Sequence, residues 1–140
     1  MVRTLAIVTV IATFALAGCA DGALRRHDGA LLNEYLPYAG PPVDSFHFFH
    51  LDSWEAVGPY QVVIWTTPWD AYFVTVQSPC NGLAFANRLA VTSTVGSISK
   101  FESIVLRHDE RCPILEIRPL DLKQMKADRA AERTAAQRAE

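Results

Sequence analysis

"QVVIWTTPWDAYFVTVQ", residues 61–77, decides the fold. Its two halves, 61–67 and 71–77, are rich in β-branched and aromatic residues, the types that suit a pleated, half-buried surface. Between them "TPWD" carries a proline and marks a short turn. Two such runs joined by so few residues predict a β-hairpin.

Strand signals continue on both sides. Upstream, "DSFHFFHLD" (44–52) is aromatic-rich and predicts a strand with one face towards water. Downstream, "CNGLAFANRLAVTST" (80–94) predicts a helical turn around Leu83–Asn87, then a strand from about Leu89 to Thr94. "VGSISK" predicts a turn, "FESIVLRH" (101–108) a strand, "DER" a turn, and "CPILEIRPL" (112–120) the last strand. Six short strands and one helical turn fit a mainly β fold, with α+β as the alternative. The expected architecture is a small antiparallel barrel or a strongly bent sheet, because closing a sheet removes exposed edges. No internal repeat is visible.

This β-rich domain is bounded at 39–121. Ahead of it, "LPYAGPPVD" (36–44) holds three prolines and a glycine, which break regular structure. "ADGALRRHDGALLNEY" (20–35) mixes charge, glycine and small residues and reads as a tether, so residues 19–38 are assigned to the tether and its first cysteine. Behind the domain, residues 122–140 are alanine and charge. Met125 is the only large apolar residue after Leu122, and like charges recur at helical spacing, Asp128 with Glu132 and Arg129 with Arg133. The expectation is a solvated, partly helical tail with no stripe to dock it.

The first eighteen residues give an address. Arg3 precedes the uncharged run "LAIVTVIATFALAG" (5–18), about 21 Å long as a helix at 1.5 Å per residue. That is short for a hydrocarbon core of about 30 Å. A positive start, a short apolar helix and small residues at its end predict a secretory signal, residues 1–18. "LAGC" (16–19) resembles the bacterial lipobox, in which the final cysteine takes a diacylglycerol through its thiolate. Cys19 is therefore the expected lipidation site. Two or more acyl chains, at about 0.8 kcal/mol per buried methylene, hold a protein on a membrane. In the sorting scheme that this resembles, Asp directly after the cysteine favours the inner membrane. Here Ala20 stands there and Asp21 follows, which favours the outer membrane, facing the periplasm.

Cysteine arithmetic agrees with export. Three cysteines is an odd count, and lipidation of Cys19 would leave Cys80 and Cys112 as a pair. An oxidising compartment predicts a disulfide between them. Closing a loop of that length is worth roughly 3.5–4 kcal/mol on the chain-entropy model. A redox pair would favour C-x-x-C, and a zinc site would want four ligands. Cleavage before Cys19 removes Arg3 and leaves 12 basic against 15 acidic residues, net −3. No basic patch points to nucleic acid.

Other candidates are weak. In "HFFHLD", strand alternation would put His47 and His50 on opposite faces, while His50 and Asp52 would share one and supply half a metal site, to be completed by His108, Asp70 or Asp109. No metal or other cofactor is expected. No G-x-S-x-G, phosphate loop or dinucleotide fingerprint occurs, so no catalytic residue is assigned. The aromatics Trp54, Trp65, Tyr60 and Tyr72 are read as core. Trp69, in the hairpin turn, is the candidate ligand contact. Arg118 is expected to brace the domain through Asp44 or Glu116.

Several stretches together resemble an uncharacterised family of small Gram-negative lipoproteins known only as a domain of unknown function. They are the Asp44-x-Phe46 opening, Trp54, Trp65-Thr66, Pro79-Cys80 and Cys112-x-Ile114-x-x-Ile117-Arg118-Pro119. The likeness covers roughly residues 39–121. It implies export, the cysteine pair and a single domain, and it implies no activity. The expected function is that of a non-catalytic, lipid-anchored periplasmic protein, a binding or assembly module for an envelope protein. A binder of a small ligand or cell-wall glycan is the alternative, and a hydrolase or redox enzyme the more distant one.

Overall fold

The computed structural model describes residues 29–139. The signal, Cys19 and the first part of the tether lie outside the described residues. The hairpin forms as β3 (Gln61–Thr67) and β4 (Asp70–Val76), paired Val62↔Val74, Val63↔Phe73 and Ile64↔Tyr72. Successive strand residues face opposite ways. Val62, Ile64, Val74 and Val76 therefore enter one apolar cluster, and Val63, Ala71 and Phe73 enter another on the opposite face. Burial on both faces explains why "VVIW" reads as a continuous apolar run rather than an alternation.

Around the hairpin the sheet continues with β2 (Ser53–Ala56), β5 (Ala90–Val91), β7 (Ser103–Val105) and β8 (Arg111–Pro119). The order is β2-β3-β4-β8-β7-β5, and each pairing is antiparallel. The six strands curl into a half-barrel. A separate ribbon of β1 (Ser45–His47) and β6 (Ser97–Ser99) contributes Phe46 and Ile98 to the inner cluster. Phe46 stacks on Tyr72 with ring centroids 4.0 Å apart.

The mainly β, strongly bent sheet expected from the sequence is the fold observed, with eight strands among the described residues rather than about six. "DSFHFFHLD" does not make one strand. It leaves β1 at His47, bends at Phe49–His50, and starts β2 at Ser53. His50 is thus off the sheet, and the alternation that paired it with Asp52 does not apply. "VGSISK" supplies both a turn and β6. The helical turn is a short 3-10 segment, Leu83–Phe85. In β8, Val76 pairs with Ile114 and Thr75 with Glu116, so Leu115 is an extra, bulged residue. The bulge resets the alternation, which keeps Ile117 on the inner face with Ile114 and leaves Leu115 exposed.

The outer face of the hairpin is covered from both flanks, and here the sequence expectations need correction. Residues 29–35 form a helix, α1, running into a 3-10 turn at Leu36–Tyr38. Tyr35 is buried against Val63 and Phe73, so this part of the expected tether belongs to the folded body. The expected tail is a 17-residue helix, α2 (Leu122–Arg138), capped by Asp121, whose carboxylate accepts from the Gln124 N–H at 2.9 Å. Leu122 and Met125 are only 7% and 2% exposed, in the same cluster as Tyr35. Two buried residues one turn apart dock the first half of α2, although no stripe runs its length. The charges that looked repulsive have partners elsewhere. Arg129 pairs with Glu34, and Asp128 accepts from the Tyr38 hydroxyl at 2.9 Å.

Candidate functional site

The half-barrel's concave side is filled. Ile64, Val62, Val74, Leu83, Ile98, Ile104 and Ile117 are fully buried there, with Cys80 and Cys112 among them. The two cysteines stand at disulfide distance, Cα atoms 5.7 Å apart across a separation of 32 residues. Cys80 follows the cis peptide Ser78–Pro79 beyond β4, and Cys112 lies in β8. Glu110 lies close enough to both sulfurs to complete a three-ligand cluster. Its carboxylate accepts from the Gly82 N–H at 3.4 Å, and sulfurs bonded to each other offer no thiolate to a cation.

Trp69 sits at the tip of the β3–β4 hairpin and is 73% exposed. The Thr67 hydroxyl orders the turn, accepting from the Trp69 N–H at 3.1 Å and the Asp70 N–H at 3.0 Å. The Lys126 ammonium lies 4.2 Å from the indole centroid. One face of Trp69 therefore braces α2 through a cation–π contact, and the rest faces solvent. Arg118 takes the second of its expected partners, Glu116, with Nε–Oε1 at 2.6 Å, while Asp44 pairs with Lys100 at 2.7 Å. The Lys100 ammonium holds the Asp44 carboxyl below the usual carboxylate range. Hydroxyl donors from Thr92 and Thr94 do the same for Glu102.

On the helix-covered face, burial pushes the Tyr35 phenol up to about 12, and Glu55, whose carboxylate accepts a hydrogen bond from the Tyr35 hydroxyl at 2.8 Å, pushes the same way. Tyr35 also packs edge-on to Trp65, centroids 6.1 Å apart. This cluster joins α1, β2, β3 and α2, which is a structural task.

The surface feature that the sequence reading missed lies at one end of the β1–β6 ribbon. His47, Phe48, Phe49, Val95 and Gly96 line an open groove of about 470 Å³. Phe49 is fully exposed and Val95 is 95% exposed. Val95 and Gly96 have φ of +52° and +68°, the pattern of a type I′ turn, which favours Asn-Gly. A Cβ on Gly96 would stand 3.1 Å from the Phe48 carbonyl oxygen, so glycine suits that position on two counts. Valine is a poor residue for the left-handed region. The sequence signal was the "TVGS" dipeptide core, a turn glycine preceded by a β-branched residue.

Comparison with known proteins now fixes the relationship. A family model described as a family of unknown function (DUF6491) matches residues 1–136. The chain belongs to that family. The match runs from the first residue into α2, well beyond the 39–121 stretch that carried the resemblance, and takes in the uncharged run 5–18, the sheet and the docked helix. No curated protein and no solved structure matches the chain.

Proposed function

We propose that the chain is an exported, lipid-anchored, non-catalytic protein of the periplasm, held by Cys19, with the outer membrane as its address, where it acts as a binding or assembly module. The observation that carries this reading is the pairing of the cysteines. Cys80 and Cys112 lie buried at disulfide distance, which leaves Cys19 as the odd cysteine at the end of "LAGC". A buried structural disulfide belongs to an oxidising compartment, and a lone thiol beside a signal peptide is the substrate that a lipidating enzyme requires. The filled concave side supports surface recognition over chemistry in an interior pocket.

Fractionation tests the reading. Cys19→Ser should release the protein from membranes or leave it uncleaved, and an unchanged membrane fraction would overturn the lipid anchor. Ala20→Asp should shift it towards the inner membrane, and unchanged sorting would defeat the outer-membrane assignment. A second reading, a glycan binder, is favoured by the exposed part of Trp69. Quenching of its fluorescence by muropeptides, lost in Trp69→Ala, would support that reading.

A further inference from the structure

The loop that joins β7 to β8 carries charge that the fold does not use. The two strands pair as far as Val105↔Arg111, and the Leu106 N–H donates to the Glu110 carbonyl at 2.9 Å, which closes the loop 106–110. His108 and Asp109 both sit at φ +58°, a left-handed position that glycine fills without strain. The loop therefore keeps two polar side chains where the backbone alone would favour none. On its other edge β7 pairs with β5, Ala90↔Val105 and Val91↔Ile104. Two residues further along that register Arg88 stands across from Arg107, and both line one groove of about 330 Å³ with His108 and Asp109. Like charges set across a ladder repel. Among the described residues no carboxylate lies within ion-pairing distance of either guanidinium, although Asp109 lines the same groove. Arg107 and His108 also line a second groove of about 190 Å³, together with Phe85 and Glu110. Phe85 is 80% exposed and stands outside both apolar clusters.

We propose that these adjoining grooves bind a sugar phosphate, with the phosphate monoester between Arg88 and Arg107 and the sugar extending past His108 towards Phe85. The proposal rests on the reading of the chain as a binding module and gives that module a ligand class. A planar carboxylate is satisfied by a single guanidinium fork. A phosphate monoester brings three acceptor oxygens and close to two negative charges, enough for two forks, and it removes the repulsion between the arginines. Asp109 and Glu110 would repel a bare phosphate, so their presence beside the arginines calls for donors on the same ligand. Carboxylates accept hydrogen bonds, and sugar hydroxyls donate them. The Glu110 carboxylate is held in place by the Gly82 N–H, which donates to it at 3.4 Å. The exposed phenyl of Phe85 offers a platform to the apolar face of a sugar ring.

Calorimetric titration of the full chain in neutral detergent micelles tests this, with glucose 6-phosphate, inorganic phosphate, glucuronate and glucose as probes. Glucose 6-phosphate should bind, inorganic phosphate and glucuronate at least tenfold more weakly, and glucose not at all. Amide shifts caused by glucose 6-phosphate in the ¹⁵N-labelled chain should centre on residues 85–90 and 106–110. Arg88→Gln/Arg107→Gln, which changes two exposed side chains, should keep the wild-type melting curve and lose at least tenfold in affinity. Phe85→Ala should weaken glucose 6-phosphate and leave inorganic phosphate unchanged. Vesicles of phosphatidylcholine containing lipid A, whose glucosamine carries phosphate monoesters, distinguish a glycolipid from a free sugar phosphate. Binding to these vesicles that the double variant loses, with no response to glucose 6-phosphate, would support the site and place its sugar phosphate on a lipid. Equal affinity of the double variant, glucuronate binding as tightly as glucose 6-phosphate, shifts centred on another face, or no response to either sugar phosphate would overturn the proposal. Muropeptide quenching of Trp69 that the double variant leaves intact, beside silent titrations with both sugar phosphates, would overturn this site while the binding-module reading stands.

Discussion

Cutting the chain after Asp121 removes α2, and the structure gives the size of the loss. Leu122 and Met125 are almost completely buried against Tyr35, Val63 and Phe73. Burying a side chain of this size is worth about 1.5–3 kcal/mol, so the two together contribute roughly 3–6 kcal/mol. That figure is an upper estimate, since an unfolded chain already hides part of its surface. The surface ion pair of Arg129 with Glu34 adds little. The expected cost is therefore about 3–5 kcal/mol, which lowers Tm by on the order of 10–20 °C for a domain of this size. A control cut after Ala130 removes the second half of the helix, where every described residue, 131–139, is exposed. It should cost no more than about 0.5 kcal/mol. Thermal melts followed by circular dichroism, with urea titrations for the free energies, compare the two. If the cut after Asp121 melts within about 2 °C of the cut after Ala130, α2 does not dock and the packing argument fails.

Cys80→Ala and Cys112→Ala should each lose about 2–5 kcal/mol, and the double variant no more than either single one, because one bond is lost in each case. Thiol titration of the folded protein purified without reductant should find neither cysteine reactive, and two reactive thiols would contradict the bond. Val95→Asn should raise stability by about 1 kcal/mol in urea titrations, by relieving the left-handed strain, and a loss would show that the turn tolerates valine. Tyr35 holds its proton more tightly folded, at about 12, than unfolded, at the ordinary 10.0. Between those values the native state binds more protons, so its stabilising effect is complete below pH 10 and declines as pH rises towards 12. Tyr35→Phe should flatten that alkaline decline in urea titrations, and an equally steep decline in the variant would assign the effect elsewhere.

The parts of this fold that were legible in the sequence share a cause. The β3–β4 hairpin is long, dense in β-branched residues and buried on both faces, and β8 is long with Cys112, Ile114 and Ile117 on its inner face, so local composition and tertiary packing agree. The parts misread are those where packing overrides composition. "GALLNEYLPY" (29–38) reads as flexible by its glycine and charge, yet Leu31, Tyr35 and Tyr38 recur at i, i+4 and i+7 and face the hairpin. In α2 the apolar signal is two residues, Leu122 and Met125, too short to register as a stripe and sufficient to dock one turn. β6 is three residues long and pairs with β1, some fifty positions away, which no local pattern encodes. The groove at Phe49 and Val95 could not be read because its two halves come from separate loops. Trp69 is exposed, in keeping with its place in the hairpin turn, while its contact with Lys126 depends on α2 docking.

The central claim is that one cysteine anchors the chain while the other two close the domain, and the mass of the mature protein tests it most directly. Protein extracted from cell membranes without reductant should begin at residue 19, and its N-terminal peptide should carry the mass of a diacylglyceryl group with or without a further acyl chain. The peptides containing Cys80 and Cys112 should appear joined. An N-terminus elsewhere, or a Cys19 peptide with an unmodified thiol, would contradict the account.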